Sequence, residues 1–217
     1  SIFKLSIYAS IVLNNSLSIS FEIGLSVFLL SIILTNYFER PFIMYLISIY
    51  FDEKTDKKIR QMMDQIAKNT GNTTLLDDHV PPHITLSAFE TKDEAEAIRI
   101  LETCATTLCQ GNVQWISVAT FLPYVIYLTP LLDEYLFNMS KTIHDTFSKI
   151  DSISINKFYK PFSWQPHTTV GRKLSPDEMR IAFETLQKQF GPFEGTVTKI
   201  GLARTNPHRD ISVFKLK

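Results

Sequence analysis

The sequence is poor in the residue types that several common classes of site require. It contains two cysteines and seven glycines among 217 residues. Cys104 and Cys109 have a spacing that fits neither a metal site nor a redox motif, and two cysteines are too few for a disulfide framework. The glycines form no phosphate-binding loop, and a nucleophile elbow is absent. We therefore expect two small, buried cysteines in a reducing compartment, and a chemistry that uses other side chains.

Net charge is also lacking. There are 22 Lys and Arg residues and 22 Asp and Glu residues. The hydrophobic content, 45%, is ordinary for a globular protein. Proteins that hold long nucleic acid by its backbone are usually basic. The balance of charge therefore argues against a broad nucleic-acid groove and favours a site for one nucleotide or one strand end.

Residues 1–43 differ in composition from the rest. They carry only four charged residues, and all five methionines lie at Met44 or beyond. We therefore divide the chain into an apolar N-terminal extension, residues 1–43, and a folded domain, residues 44–217.

Three origins of this extension remain open: sequence upstream of a natural start at Met44, a membrane anchor, or part of the fold. The uncharged run Ile23–Phe38 is slightly shorter than the roughly 20 apolar residues of a membrane span. Arg40 directly after the run would place the domain in the cytoplasm. We expect a cytoplasmic domain, either free or anchored to a membrane.

The domain repeats one order of elements. After a strand at Tyr45–Phe51, each half gives helix, strand, helix, strand and strand. Helix Glu53–Thr70, between Asp52 as N-cap and Gly71 as its end, opens the first half, and helix Leu131–Ile150 opens the second. The other predicted strands are Val113–Phe121, Tyr124–Thr129, Thr196–Arg204 and Ile211–Leu216. This duplication predicts an α+β fold in which antiparallel-rich sheets from the two halves face a central cleft, with helices outside.

A His-x-Thr pattern occurs once in each half, each time after a proline: His83-Ile84-Thr85 and His167-Thr168-Thr169. Each triplet runs into a strand-like stretch. A predicted capping box then lies eight residues after each histidine and starts a helix, to Cys109 in the first half and to Phe190 in the second. The two boxes are Thr91 with Glu94, and Ser175 with Glu178. The matched context distinguishes this pair from two chance triplets.

Two such triplets can form one catalytic site. Residues two apart in a strand share a face, so that His83 projects with Thr85, and His167 with Thr169. One neutral imidazole can accept a proton from the attacking oxygen while the other, protonated, supplies one to the leaving oxygen. The threonine hydroxyls can hold the non-bridging phosphate oxygens. This chemistry needs neither a metal nor another cofactor.

The pattern resembles the 2H phosphoesterase superfamily, and within it the 2′–5′ RNA ligase-like, cyclic phosphodiesterase proteins. The resemblance covers about Met44 to Lys217, with His83 and Thr85 matching the first HxT motif and His167 and Thr169 the second. It implies a bilobal pseudo-twofold fold and metal-independent hydrolysis of 2′,3′-cyclic phosphates or 2′–5′ linkages, with ligation in reverse in some members. By analogy His83 is the acid and His167 the base.

Other residues near the motifs are weaker candidates. Tyr159 and Trp164 lie in an aromatic, basic segment that could stack a base or dock on the core. If the strand stays regular as far as Lys173, alternation puts this residue on the histidine face, where it could contact substrate; the alternative is a solvated basic patch. We interpret His144 and His208 as surface residues.

The sequence thus predicts a phosphoesterase whose substrate is a nucleotide or an RNA terminus, and we expect a monomer. The alternative is a non-catalytic module that binds a nucleotide or an RNA end in the same cleft. A third hypothesis is a membrane-tethered protein whose domain serves a partner.

Overall fold

A computed structural model describes residues 43–205 and 208–217. Strands and helices are interspersed along this part of the chain. In chain order they are β1 (Ile43–Phe51), α1 (Glu53–Thr70), α2 (Thr74–Asp77), β2 (Ile84–Thr91), α3 (Glu94–Ala105), β3 (Gly111–Phe121), β4 (Val125–Pro130), α4 (Glu134–Phe147), β5 (Ile153–Ile155), a 3₁₀ turn (Lys157–Tyr159), β6 (Thr168–Gly171), α5 (Pro176–Gln189), β7 (Phe193–Arg204) and β8 (Arg209–Lys215).

The strands pair in the order β5-β2-β1-β7-β3-β4-β6, with β8 also on β7. Neighbouring strands run antiparallel. The long strands β3 and β7 join the two halves, because β7 pairs with β3 through residues 193–197 and with β1 and β8 further along. The predicted α+β class with antiparallel pairing is confirmed, and the strands of the two halves are hydrogen-bonded into one continuous sheet.

Helix α1 has the bounds that the sequence predicts. The Asp52 side chain accepts a hydrogen bond from the backbone N–H of Thr55, and Gly71 ends the helix with φ +77°. This left-handed conformation is available to glycine without strain. One face of the helix is buried against the sheet through Ile59, Met62, Met63 and Ile66.

The helices that follow the two motifs start differently. The Ser175 box is confirmed, since its side chain accepts from Glu178 N–H and the Glu178 carboxylate accepts from Ser175 N–H. The Thr91 box is wrong. Thr91 is the last residue of β2, paired with strands on both sides, and Asp93 caps α3 instead. The two caps therefore do not lie at equal distances from the histidines.

Two helices are shorter than the sequence suggests. Helix α3 ends at Ala105, so that Cys104 is buried in the helix but Cys109 is exposed, contrary to the expectation for it. Helix α4 spans Glu134–Phe147 because Asp133 caps it and Leu131 still bonds to β3 through Gln114.

The predictions for the N-terminal extension lie outside the described residues, except for Ile43, which begins β1. Within the part of the chain that the structure describes, no helix combines the length and the apolar character needed to cross a membrane.

Candidate active site

The first triplet lies where β2 begins, and its neighbours there are residues of the paired strand β1. Thr85 pairs directly with Ser48, and the two hydroxyl oxygens are 3.3 Å apart. The His83 ring lies 6.4 Å from the ring of Tyr50, two residues after Ser48 on β1. Because Ser48 and Tyr50 share a face, His83 and Thr85 also project to the same side, as the spacing predicts.

The second triplet repeats this arrangement on β6. Thr169 pairs directly with Tyr127 of β4, and the His167 ring lies 5.4 Å from the Tyr127 ring. Phe121 presents its ring to His167 edge-on, with centroids 4.9 Å apart. His167 and Thr169 thus share the face that carries Tyr127.

The same backbone device holds both histidines. His83 Nδ1 lies 2.7 Å from the carbonyl oxygen of Pro81, and His167 Nδ1 lies 2.9 Å from that of Gln165. A carbonyl can only accept, so that each Nδ1 carries the hydrogen when the ring is neutral. Within the described residues, neither Nε2 has a hydrogen-bond partner. Each ring therefore presents a free Nε2 in a fixed tautomer, as an acid–base group requires.

Contacts between the halves bring the motifs to one place. The Trp164 indole N–H, just before the second motif, donates to the backbone carbonyl of Thr85 over 2.9 Å. Arg172, just after that motif, forms an ion pair with Asp78, which precedes the first. A positive charge on His167 is close enough to lower the pKa of His83. The two predicted histidines thus lie close enough for the charge of one to affect the titration of the other.

The two imidazoles differ in their titration. Burial is the main cause that lowers the pKa of His83 to about 4, and positive charges on His208 and His167 lower it further. The hydrogen bond to the Pro81 carbonyl and the negative charge of Asp210 act in the opposite direction. Burial also lowers the pKa of His167, opposed by the Gln165 carbonyl. Both imidazoles therefore bind a proton less readily than a histidine in water does.

The weaker candidates are arranged less favourably. Trp164 is buried and Tyr159 packs partly against the core, so that this segment docks on the fold. Its most exposed ring is that of Phe162, at 93% exposure, which lies near the Phe137 ring with centroids 5.3 Å apart. The alternation invoked for Lys173 fails, because β6 ends at Gly171 and Lys173 has a positive φ of 53°.

Sequence reasoning missed the group that surrounds His83. The His208 side chain is only 9% exposed, so the surface interpretation is wrong. Its ring stacks on that of His83 with centroids 5.9 Å apart. Asp210 and Tyr50 complete the group. No local pattern marks these residues, because β8 and β1 reach one another only through their pairing with β7.

No arrangement of three or more His, Cys, Asp or Glu side chains suited to a metal ion occurs among residues 43–205 and 208–217. The prediction that the site needs no metal remains a prediction.

Comparison with known proteins agrees with this architecture. Residues 55–209 match the model of the 2′-5′ RNA ligase superfamily. No curated protein matches the chain by sequence.

Solved structures share the fold at low sequence identity. TT0787 of Thermus thermophilus is 14% identical, with a TM-score of 0.57 over 80% of this chain and 97% of its own. LigT of E. coli, complexed with 3′-AMP, is 15% identical, with a TM-score of 0.53 over 82% of this chain and 99% of its own. A further crystal structure, of a phosphoesterase, is 12% identical with a TM-score of 0.51, covering 81% of this chain and 99% of that one.

Proposed function

Because the chain belongs to the 2′-5′ RNA ligase superfamily, we propose that it is a metal-independent phosphoesterase that hydrolyses 2′,3′-cyclic phosphates or 2′–5′ phosphodiesters of RNA or small nucleotides. The observation that most strongly supports this proposal is the matched pair of imidazoles, each held through Nδ1 by the carbonyl two residues earlier. The nucleotide as ligand is supported by the fold neighbour LigT, which was crystallised with 3′-AMP and with ATP.

The reaction places the phosphorus between the two Nε2 atoms. One neutral imidazole accepts a proton from the attacking water, and the other, protonated, delivers one to the departing ribose oxygen, roughly in line. The products are a phosphomonoester and a free hydroxyl. With a 2′,3′-cyclic phosphate as substrate and a ribose 5′-hydroxyl in place of water, the same acid–base pair forms a 2′–5′ linkage, while the bond from phosphorus to the 3′ oxygen breaks and that oxygen takes up the proton.

The threonines orient the phosphoryl group. Ser48 can donate to Thr85 across 3.3 Å, which leaves the Thr85 hydrogen for a non-bridging oxygen. Thr169 occupies the equivalent place on β6. Hydroxyls fixed in this way stabilise the negative charge on the non-bridging phosphoryl oxygens without having to reorganise.

The resting charges bear on which ring is the acid. With its pKa near 4, His83 is neutral in the free protein at neutral pH. The analogy that makes His83 the acid therefore requires a bound anionic phosphate to recharge it. The opposite assignment, with His83 as the base, needs no such change.

The decisive assay measures turnover of 2′,3′-cyclic mononucleotides, 2′–5′ oligonucleotides and RNA ending in a cyclic phosphate, in the presence of EDTA. We expect at least one substrate to turn over. His83→Gln and His167→Gln should each reduce kcat by about 10²–10⁴-fold, the usual contribution of an acid–base group. His144→Gln on α4 is the matched control and should leave the rate unchanged.

Undiminished hydrolysis by the double variant would contradict the proposal. Tight binding of these nucleotides without any turnover would instead support the non-catalytic binding module. Cytoplasmic location and the monomeric state stay predictions, to be checked by fractionation and by sedimentation.

A further inference from the structure

Four side chains form a closed ring of contacts beside the first motif. The Tyr50 hydroxyl donates to Asp210 Oδ1 over 2.8 Å. His208 Nε2 lies 3.3 Å from the same oxygen, at ion-pair distance but poorly aligned for a hydrogen bond. The His208 ring stacks on His83, with planes 23° apart, and the His83 ring is in turn near Tyr50.

The sheet is shaped to allow this ring of contacts. Tyr50 lies on β1 and Asp210 on β8, with β7 between them. Gly201 of β7 leaves the space, because a Cβ there would lie 2.9 Å from the Tyr50 ring and 2.8 Å from the Ser212 carbonyl oxygen. A larger residue would displace Tyr50 from its path to Asp210.

We propose that His208 and Asp210 are positioning residues for the His83 half of the site: Asp210, fixed by Tyr50, holds His208, and His208 fixes the plane of the His83 imidazole. Each motif histidine is tied to the backbone by a single hydrogen bond, about which the ring can still rock. Stacking against His208 restrains that motion, so that His83 Nε2 keeps its direction toward the phosphate. The kinetic part of this inference rests on the proposed function.

Asp210 also supplies charge. Its contact with His208 lowers the pKa of the Asp210 carboxyl, so that a carboxylate faces the two imidazoles at neutral pH. The charged groups from other elements that line the same cavity as Asp210 are Lys199 on β7 and, on α1, Glu53 with the ion pair Asp56–Arg60. His167 faces His83 from the second motif. Asp210 thus contacts His208 directly and acts on His83 through its charge.

The test compares Asp210→Asn and His208→Gln with the parent chain, by two measurements. NMR of labelled histidine follows the His83 titration directly, and the pH profile of kcat/KM reports the titration of the same free enzyme through its activity. Removing a nearby negative charge lowers a histidine pKa, and removing a neighbouring positive one raises it. We expect the His83 midpoint to move to lower pH in Asp210→Asn and to higher pH in His208→Gln, with kcat/KM down about tenfold in both.

The matched control is the pair His144–Asp145 on α4, whose contact of 3.4 Å is similar. His144→Gln and Asp145→Asn should leave both the titration and the rate unchanged. A His83 midpoint that is the same in Asp210→Asn, in His208→Gln and in the parent would overturn the inference. The NMR titration decides this even if no tested substrate turns over, so that failure of the proposed function is distinguished from failure of the inference.

Discussion

The two halves of the site use one motif in two environments. His83 and His167 have the same backbone anchor, at 2.7 and 2.9 Å, and each is followed by a threonine on the same face. The His83 ring stacks on the polar His208, whereas the His167 ring lies edge-on to Phe121 and Tyr127. The two motifs thus share one geometry, and their different neighbours make the two imidazoles chemically unequal. Unequal environments favour an acid–base pair, because groups that differ in proton affinity are more often found with one protonated and the other neutral.

The threonines give the first way to break the comparison. Thr85→Val and Thr169→Val should each reduce kcat by about 10²-fold, as the loss of one fixed donor to a developing oxyanion does. Thr129→Val on β4 is the control, because its hydroxyl lacks a hydrogen-bond partner in the described structure. Steady-state kinetics measures this. If only Thr85 mattered, the two halves would not hold the phosphate as equivalents.

Tyr127 gives a smaller effect, confined to the second half. Its hydroxyl accepts a hydrogen bond from Gln165 Nε2 over 2.8 Å, and the Gln165 carbonyl holds His167. Tyr127→Phe removes this support but keeps the ring. A hydrogen bond contributes about 1 kcal/mol, which corresponds to about fivefold in rate. Because the two imidazoles are coupled, the His167 titration should change more than that of His83; equal changes in both would argue that Tyr127 does not act through His167.

Acid stability should sharpen the comparison further. In the unfolded chain His83 titrates near its ordinary 6.5, but in the folded chain near 4. Between these values the unfolded state binds more protons, so that folding stability falls as the pH falls. His83→Gln removes this loss. Urea unfolding at pH 7 and pH 5 should show a shallower decline for His83→Gln than for the parent; an unchanged decline would refute the shifted titration.

Local patterns were sufficient to predict much of the fold. Asp52, the apolar face of α1 and Gly71 together define that helix without tertiary information. Ser175 with Glu178 does the same for α5. The capping box predicted at Thr91 is wrong because pairing with β1 and β5 extends β2 through this residue. A local pattern does not show strand pairing, which depends on the whole sheet.

The site was predictable only where it is local. Spacing alone places His83 with Thr85 and His167 with Thr169 on common faces. It gives no information on His208, more than a hundred residues from His83 and brought to it by three consecutive strand pairings. Nor does it show that β6 ends at Gly171, before the alternation could reach Lys173.

The central claim is that both imidazoles bind one phosphoryl group, and a single titration tests it. A nucleoside 3′-monophosphate is added to the protein while NMR follows the ring signals of His83 and His167, assigned with the two glutamine variants. The account predicts that both signals shift along one binding curve with one Kd, and that signals of His144 remain still. A shift of one motif histidine alone, or two curves with different Kd values, would contradict it.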